Sequence, residues 1–361
     1  MDKGSGQLVS ALAAALALAL VAAARAAQPA PLSAEPARLA ARGLLIAIAA
    51  AGERLVAVGD RGIIVLSDDH GASWTQAAAV PTQALLTGVC FLDAQHGVAV
   101  GHDEVILTTA DAGRSWTLAH YAPQAQRPLL DVWCGSGGRV IAVGAYSAYL
   151  TSTDTGASWS EGKFRAVPGP GSARARPGAN GAATNTDTSA GNEGEAAGGG
   201  PHLNRIVAAG ATRLYIAGEA GHLYRSDDSG ATWLTLASPY EGSFFGVLPL
   251  AGEAVLAFGL RGNVLRSSDA GSSWQKIDTG TVAMLDGAAR FGADVVAIVG
   301  LAGVVLASRD GGRSFTLLQQ ADYAGLSAAV TVGDETLAAV GEGGVKLIRV
   351  TGGPVVARSA R

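Results

Sequence analysis

Apolar residues along this chain fall in short runs, each closed by a glycine or a small polar cluster. Leu55-Val56-Ala57-Val58 ends on Gly59, the chain turns through Asp60-Arg61-Gly62, and Ile63-Ile64-Val65-Leu66 follows. Runs this short between glycine turns read as β-strands joined by hairpins. The pattern repeats. A glycine closing the second strand recurs at Gly59, Gly101, Gly144, Gly218, Gly259, Gly300 and Gly341, and the first strands begin near Leu44, Leu85, Leu129, Leu203, Phe244, Met284 and Leu326. Spacing is about forty residues except between the third and fourth units, where residues 168–200 are mostly Gly, Ala, Asn, Ser, Thr and Pro with almost no large apolar side chain. Such a stretch cannot bury enough surface to offset ordering and is expected to be a flexible loop.

A unit of four short strands has two apolar faces and cannot cover both alone. Units must therefore stack about an axis until a ring closes. The fold predicted is all-β, a seven-bladed β-propeller over 43–350, preceded by a segment 27–42 and followed by a tail 351–361. The seventh unit lacks the closing motif of the others, so its outer strand must come either from Val355–Arg358 or from a strap ahead of Gly43. The strap is preferred because it leaves no seam.

Each of the first six units closes on Ser/Thr-x-Asp-x-Gly-x-Ser/Thr-aromatic: Ser67–Trp74, Thr109–Trp116, Ser152–Trp159, Ser226–Trp233, Ser267–Trp274 and Ser308–Phe315. The hydroxyl and carboxylate can accept turn amides, the glycine supplies permissive backbone angles, and the aromatic ring is an anchor. Asp69, Asp111, Asp154, Asp228, Asp269 and Asp310 are read on this basis as structural. Asp227-Asp228-Ser229-Gly230 faintly suggests a calcium loop but lacks the downstream bidentate glutamate.

Composition narrows the setting. With 50 glycines, 16% charged residues and a mean hydropathy of +0.27, the chain is turn-rich and not disordered. A net charge of −4 without a Lys/Arg run offers no field toward phosphate backbones, so nucleic acid is discounted. Lys3, the apolar run Leu8–Ala24 and the small residues beyond it read as a signal peptide over 1–26, an uncleaved anchor being the alternative. The protein is expected to be exported, to the periplasm or outside, or to the lumen of a photosynthetic cell. Cys90 and Cys134 hold equivalent places in successive repeats. A bridge between blades competes with the commoner fate of a small buried thiol, which is the expectation.

The six motifs resemble those of the Asp-box, or BNR-repeat, propellers over about 43–350. Within that set the single short ring, the apolar-Val-Gly endings and the export signal look most like the photosystem II stability/assembly factor family. The resemblance implies a non-catalytic, cofactor-free scaffold, expected to be monomeric, that binds a membrane-protein complex or its assembly intermediate. The alternative is a glycoside hydrolase of sialidase or xyloglucanase type. Against it, Phe164-Arg165-Ala166-Val167 stands after the third motif instead of before the first, and no arginine triad can be assembled. Candidate catalytic carboxylates outside the motifs are few: Asp60, Asp103, Glu104, Asp131, Glu219, Asp286 and Glu342. No metal-ligand spacing, nucleophile elbow or phosphate loop occurs.

The turns between second and third strands vary from unit to unit, and variation on a repeated scaffold is where specificity can be written. Arg61, His102, Tyr146, Glu219, Arg261 and Glu342 are the candidate partner contacts, with Arg61, Tyr146 and Arg261 foremost.

Overall fold

The computed structural model describes residues 30–169, 199–333, 335–350 and 358–359. Residues 1–26, expected to be a signal peptide, and most of the insertion lie outside the described residues. Residues 30–32 carry no regular element, and the compact body begins at Ser33.

Seven sheets are present among the described residues, each an antiparallel meander in chain order from an inner to an outer strand. The inner strands are Leu45–Ala51, Leu86–Phe91, Leu129–Cys134, Leu203–Ala208, Phe244–Pro249, Leu285–Phe291 and Leu326–Thr331, and they define blades 1 to 7. Each carries a register shift after its first residue. The second strands are buried on both faces: Val56, Ala57 and Val58 in blade 1 and Val98, Ala99 and Val100 in blade 2 are fully inaccessible. Their alternation feeds two neighbours. Val56 and Val58 join a cluster with Leu86, Ala99 and Leu107 of blade 2, whereas Leu55 and Ala57 join Ala328, Ala338 and Val340 of blade 7. Seven such clusters occupy the seven blade interfaces, so the ring is closed by apolar packing throughout.

The six Asp boxes share one geometry. In the first, Ser67 Oγ donates to Asp69 Oδ1 (2.8 Å) and accepts from Gly71 N (2.8 Å), while Ser73 donates through N to Oδ1 (2.9 Å) and through Oγ to Oδ2 (2.5 Å). The side-chain and backbone bonds from Ser73, with the bond from Ser67, hold the Asp69 carboxyl at about 2. In the first three boxes the Trp Nε1 donates to the box glycine's carbonyl at 2.9–3.0 Å. The fourth departs: Trp233 Nε1 donates to Tyr149 Oη, which donates to Gly230 O. Arginines lace successive boxes together, with Arg54 donating to Ala112 O, Arg225 to Ala270 O and Arg266 to Gly311 O.

Several expectations are corrected. Cys90 and Cys134 form a disulfide between blades 2 and 3, because equivalent places on neighbouring inner strands bring their Cα atoms to 5.7 Å. The outer strand of blade 7 is Arg358–Ser359, paired with Lys346 and Leu347, so the tail completes the blade and the preferred strap does not. The segment ahead of Gly43 still packs, with Ala34 N donating to Val80 O and Ala40 buried in the cluster between blades 7 and 1. A strand that the repeat pattern did not mark precedes the insertion. Ala166–Pro168 is a fifth strand, parallel to Trp233–Leu236 on the outer edge of blade 4, placed there by Phe164 packing on Tyr149, Tyr224 and Trp233.

Two outcomes follow from the packing. Trp116→Phe removes a buried indole bond and should cost about 1 kcal/mol. Trp274→Phe should be close to neutral, since its buried Nε1 has no partner among the described residues. Urea unfolding of both variants checks the contrast; equal losses would refute it. Reduction of Cys90–Cys134 should lower stability by about 2–4 kcal/mol, read as a drop in Tm on adding reductant that is absent in Cys90→Ser/Cys134→Ser.

Candidate functional site

The turns between second and third strands and the blade-to-blade connections share one rim. The first turn's Gly62 N donates to Ala84 O of the following connection, and Ser147 N of the third donates to Pro201 O. The Asp boxes share the opposite rim with the turns between first and second strands: Ala112 N donates to Gln95 O, and Ala270 N to Glu253 O.

One hydrogen bond builds every variable turn. The amide of the residue after the closing glycine (Asp60, His102, Ala145, Glu219, Leu260, Leu301, Glu342) donates to the carbonyl just ahead of the inner strand at 2.9–3.1 Å. This approach explains the invariant glycine, because a Cβ on Gly59 would stand 2.1 Å from Leu44 O and one on Gly341 2.0 Å from Gly325 O. The residue two after the glycine is left-handed in six blades: Arg61, Asp103, Tyr146, Ala220, Arg261 and Ala302, with φ of 51–60°. A conformation repeated six times belongs to the architecture and marks no single site.

The six candidate contacts separate. The Arg61 side chain is 85% exposed, its nearest carboxylate being Asp60 at 3.8 Å. His102 and Arg261 are exposed, and Tyr146 packs edge-on against His202 at 4.9 Å. Glu219 and Glu342 instead hold the starts of inner strands, their carboxylates accepting His202 N and Gly325 N, each at 2.9 Å. The candidates belong to different blades and encircle the rim without forming a cluster. Sequence reasoning missed Val282, Leu301 and Tyr323, which are 84%, 39% and 64% exposed on the connections and turn around blade 6. Their repeat positions carry no motif, so no signal marked them.

The channel holds a second constellation. Arg205 of blade 4 reaches across to blade 6, where Nη2 donates to Asp286 O (3.4 Å), and its Nη1 lies 3.9 Å from Asp131 Oδ1 of blade 3. Asp131 Oδ2 accepts Ile206 N (2.9 Å). Burial raises the Asp131 carboxyl and pushes Asp286 up to about 6, against the pull of Arg205 in both cases. The channel is thus bridged by a guanidinium between the Asp131 carboxyl and the Asp286 main-chain carbonyl. Among the described residues, no group of three His, Cys, Asp or Glu is placed to hold a metal ion, and no helix is long and apolar enough to cross a membrane.

The Asp286 shift has a sign that can be tested. Its folded pKa lies above the ordinary carboxylate range, so protonation favours the native state, and that contribution is lost as pH rises from about 4 to about 6. Asp286→Asn should therefore gain stability relative to the parent across this window. Urea midpoints for both proteins at several pH values measure the gap; a constant gap would contradict the assignment.

Comparison with known proteins places the fold. Residues 67–200 match the family described as photosynthesis system II assembly factor YCF48. The chain superposes on YCF48 bound to D1 peptide with a TM-score of 0.63 at 15% identity, covering 86% of this chain and 94% of that one. YCF48 from Cyanidioschyzon merolae gives 0.63 at 14%, with 85% and 95% covered. The GH74 enzyme of Niastella koreensis also gives 0.63, at 13% identity, but this chain spans about half of its length, 54%, while 87% of this chain is covered. No curated protein matches. At these identities the superpositions carry the fold, and function must be argued from the rims and channel. The chain is a seven-bladed, Asp-box β-propeller resembling the photosystem II assembly factors.

Proposed function

We propose that this protein is an exported, non-catalytic scaffold that holds a segment of a membrane-protein complex on its variable-turn rim while the complex is assembled or kept intact. One observation carries the reading. The large apolar side chains exposed on turns and connections, Tyr146, Val282, Leu301 and Tyr323, stand on that rim, whereas none is exposed on the Asp-box rim among the described residues. Aromatic and aliphatic groups together with the exposed guanidinium groups of Arg61 and Arg261 are the composition of a protein-binding surface. The polypeptide ligand named for the YCF48 structure supports a polypeptide partner here. Export is supported by the character of Met1–Ala26, and the bonded Cys90–Cys134 pair suits an oxidising compartment.

A second reading, glycoside hydrolysis, is favoured by the likeness to the GH74 enzyme and by the Asp131 and Asp286 carboxyls in the channel. Against it, Arg205 lies against the Asp131 carboxyl and donates to the Asp286 main chain, and Asp131 is tied to Ile206 N. Turnover of xyloglucan or a sialoside by the pure protein, abolished in Asp286→Asn, would establish the enzyme.

Crosslinking in the native envelope tests the scaffold. Capture of a membrane-protein subunit should be lost in Arg61→Ala/Tyr146→Ala/Arg261→Ala and kept in His70→Ala/Arg114→Ala/Ser229→Ala, which alters the Asp-box rim. The reverse pattern would assign the working surface to the wrong face.

A further inference from the structure

The Asp-box rim is poor in exposed apolar groups, yet two clefts open at its channel mouth. One, of about 520 Å³, lies between blades 4 and 5 and reaches blade 6, with Val207, Leu248 and Leu250 giving it an apolar lining and Tyr215 standing beside them. The other, of about 510 Å³, lies between blades 6 and 7 and includes Phe291 and Thr331. Arg290 lines both, so the two clefts meet at its side chain.

The charges at this mouth are unevenly settled. Arg213 is paired with Asp227 and Glu253, and Glu335 is paired with Arg309. Arg290 is exposed and has no carboxylate partner among the described residues; its one hydrogen bond is a long one to Pro249 O at 3.5 Å. An exposed guanidinium with no carboxylate partner among the described residues, set between two partly apolar clefts, is complementary to an acid flanked on both sides by apolar side chains.

We propose that this mouth is a second polypeptide-binding groove, taking an extended segment whose acidic side chain pairs with Arg290 while its apolar neighbours enter the clefts on either side. The groove lies on the face opposite the variable-turn rim and stands independently of the function proposed above. A ring occupied on both faces joins two polypeptide segments through one rigid body, which a scaffold with one working face cannot do.

A short fluorescein-labelled peptide, ALAEALA, is the probe, titrated against the purified protein by anisotropy. Saturable binding is expected, with ALAKALA weaker by at least about tenfold, the size of one charge-assisted contact. Arg290→Glu should reverse this preference, and that reversal distinguishes a lost contact from a damaged fold. Arg261→Glu, on the opposite rim, should leave both affinities unchanged. Absence of saturable binding to the parent protein, or a preference unmoved by Arg290→Glu, overturns the groove. Loss of binding in Arg261→Glu alone would also overturn it, while leaving the variable-turn rim as the polypeptide site.

Discussion

The structure depends on the second strand of each blade, which gives its apolar side chains alternately to one neighbour and then to the other. Val56 and Val58 pack toward blade 2, and Leu55 and Ala57 toward blade 7. Strand geometry enforces this, because successive side chains leave the sheet on opposite faces. With no polar face to turn toward water, a blade is stable only between two others, and the ring is the arrangement in which every blade has both. At about 25 cal/mol per Å² of apolar surface, these interfaces outweigh any polar contact on the rims, so the rims can vary without endangering the fold.

That freedom is used on one rim and withheld on the other. The Asp boxes repeat because each hydroxyl, carboxylate and glycine satisfies a backbone group of its own turn, and because arginines of one blade cap the next box. The variable turns need only the glycine, whose missing Cβ admits the carbonyl ahead of the inner strand. The position two residues on tolerates Arg, Asp, Tyr or Ala in the same left-handed conformation. One rim therefore spends its side chains on structure, and the other leaves them for a partner.

What the sequence made legible followed the same division. Blade number and the positions of the Asp-box turns were readable because they repeat. Features that occur once were not. The fifth strand of blade 4 rests on Phe164 finding Tyr149, Tyr224 and Trp233, residues far from it in the repeat pattern. Arg205, Asp131 and Asp286 belong to three blades and meet only across the channel. Glu219 and Glu342 look like free turn residues until their bonds to strand-start amides are seen. The disulfide lay between: the equivalence of Cys90 and Cys134 was visible, but their closeness required neighbouring inner strands to stand side by side.

The seam between blades 7 and 1 has a consequence for how the ring forms. Six interfaces join consecutive repeats and can assemble as short loops close. The seventh unites Leu45 and Ile48 with Ala338 and Val340, almost the whole ring apart in sequence. The extra equilibrium toll is small, since each doubling of loop length adds only about 0.6 kcal/mol. In time the difference is large, because distant contacts wait until nearer ones have brought them together. Until then the outward faces of the first and last blades stay wet and adhesive, which makes this junction the vulnerable point during the protein's maturation.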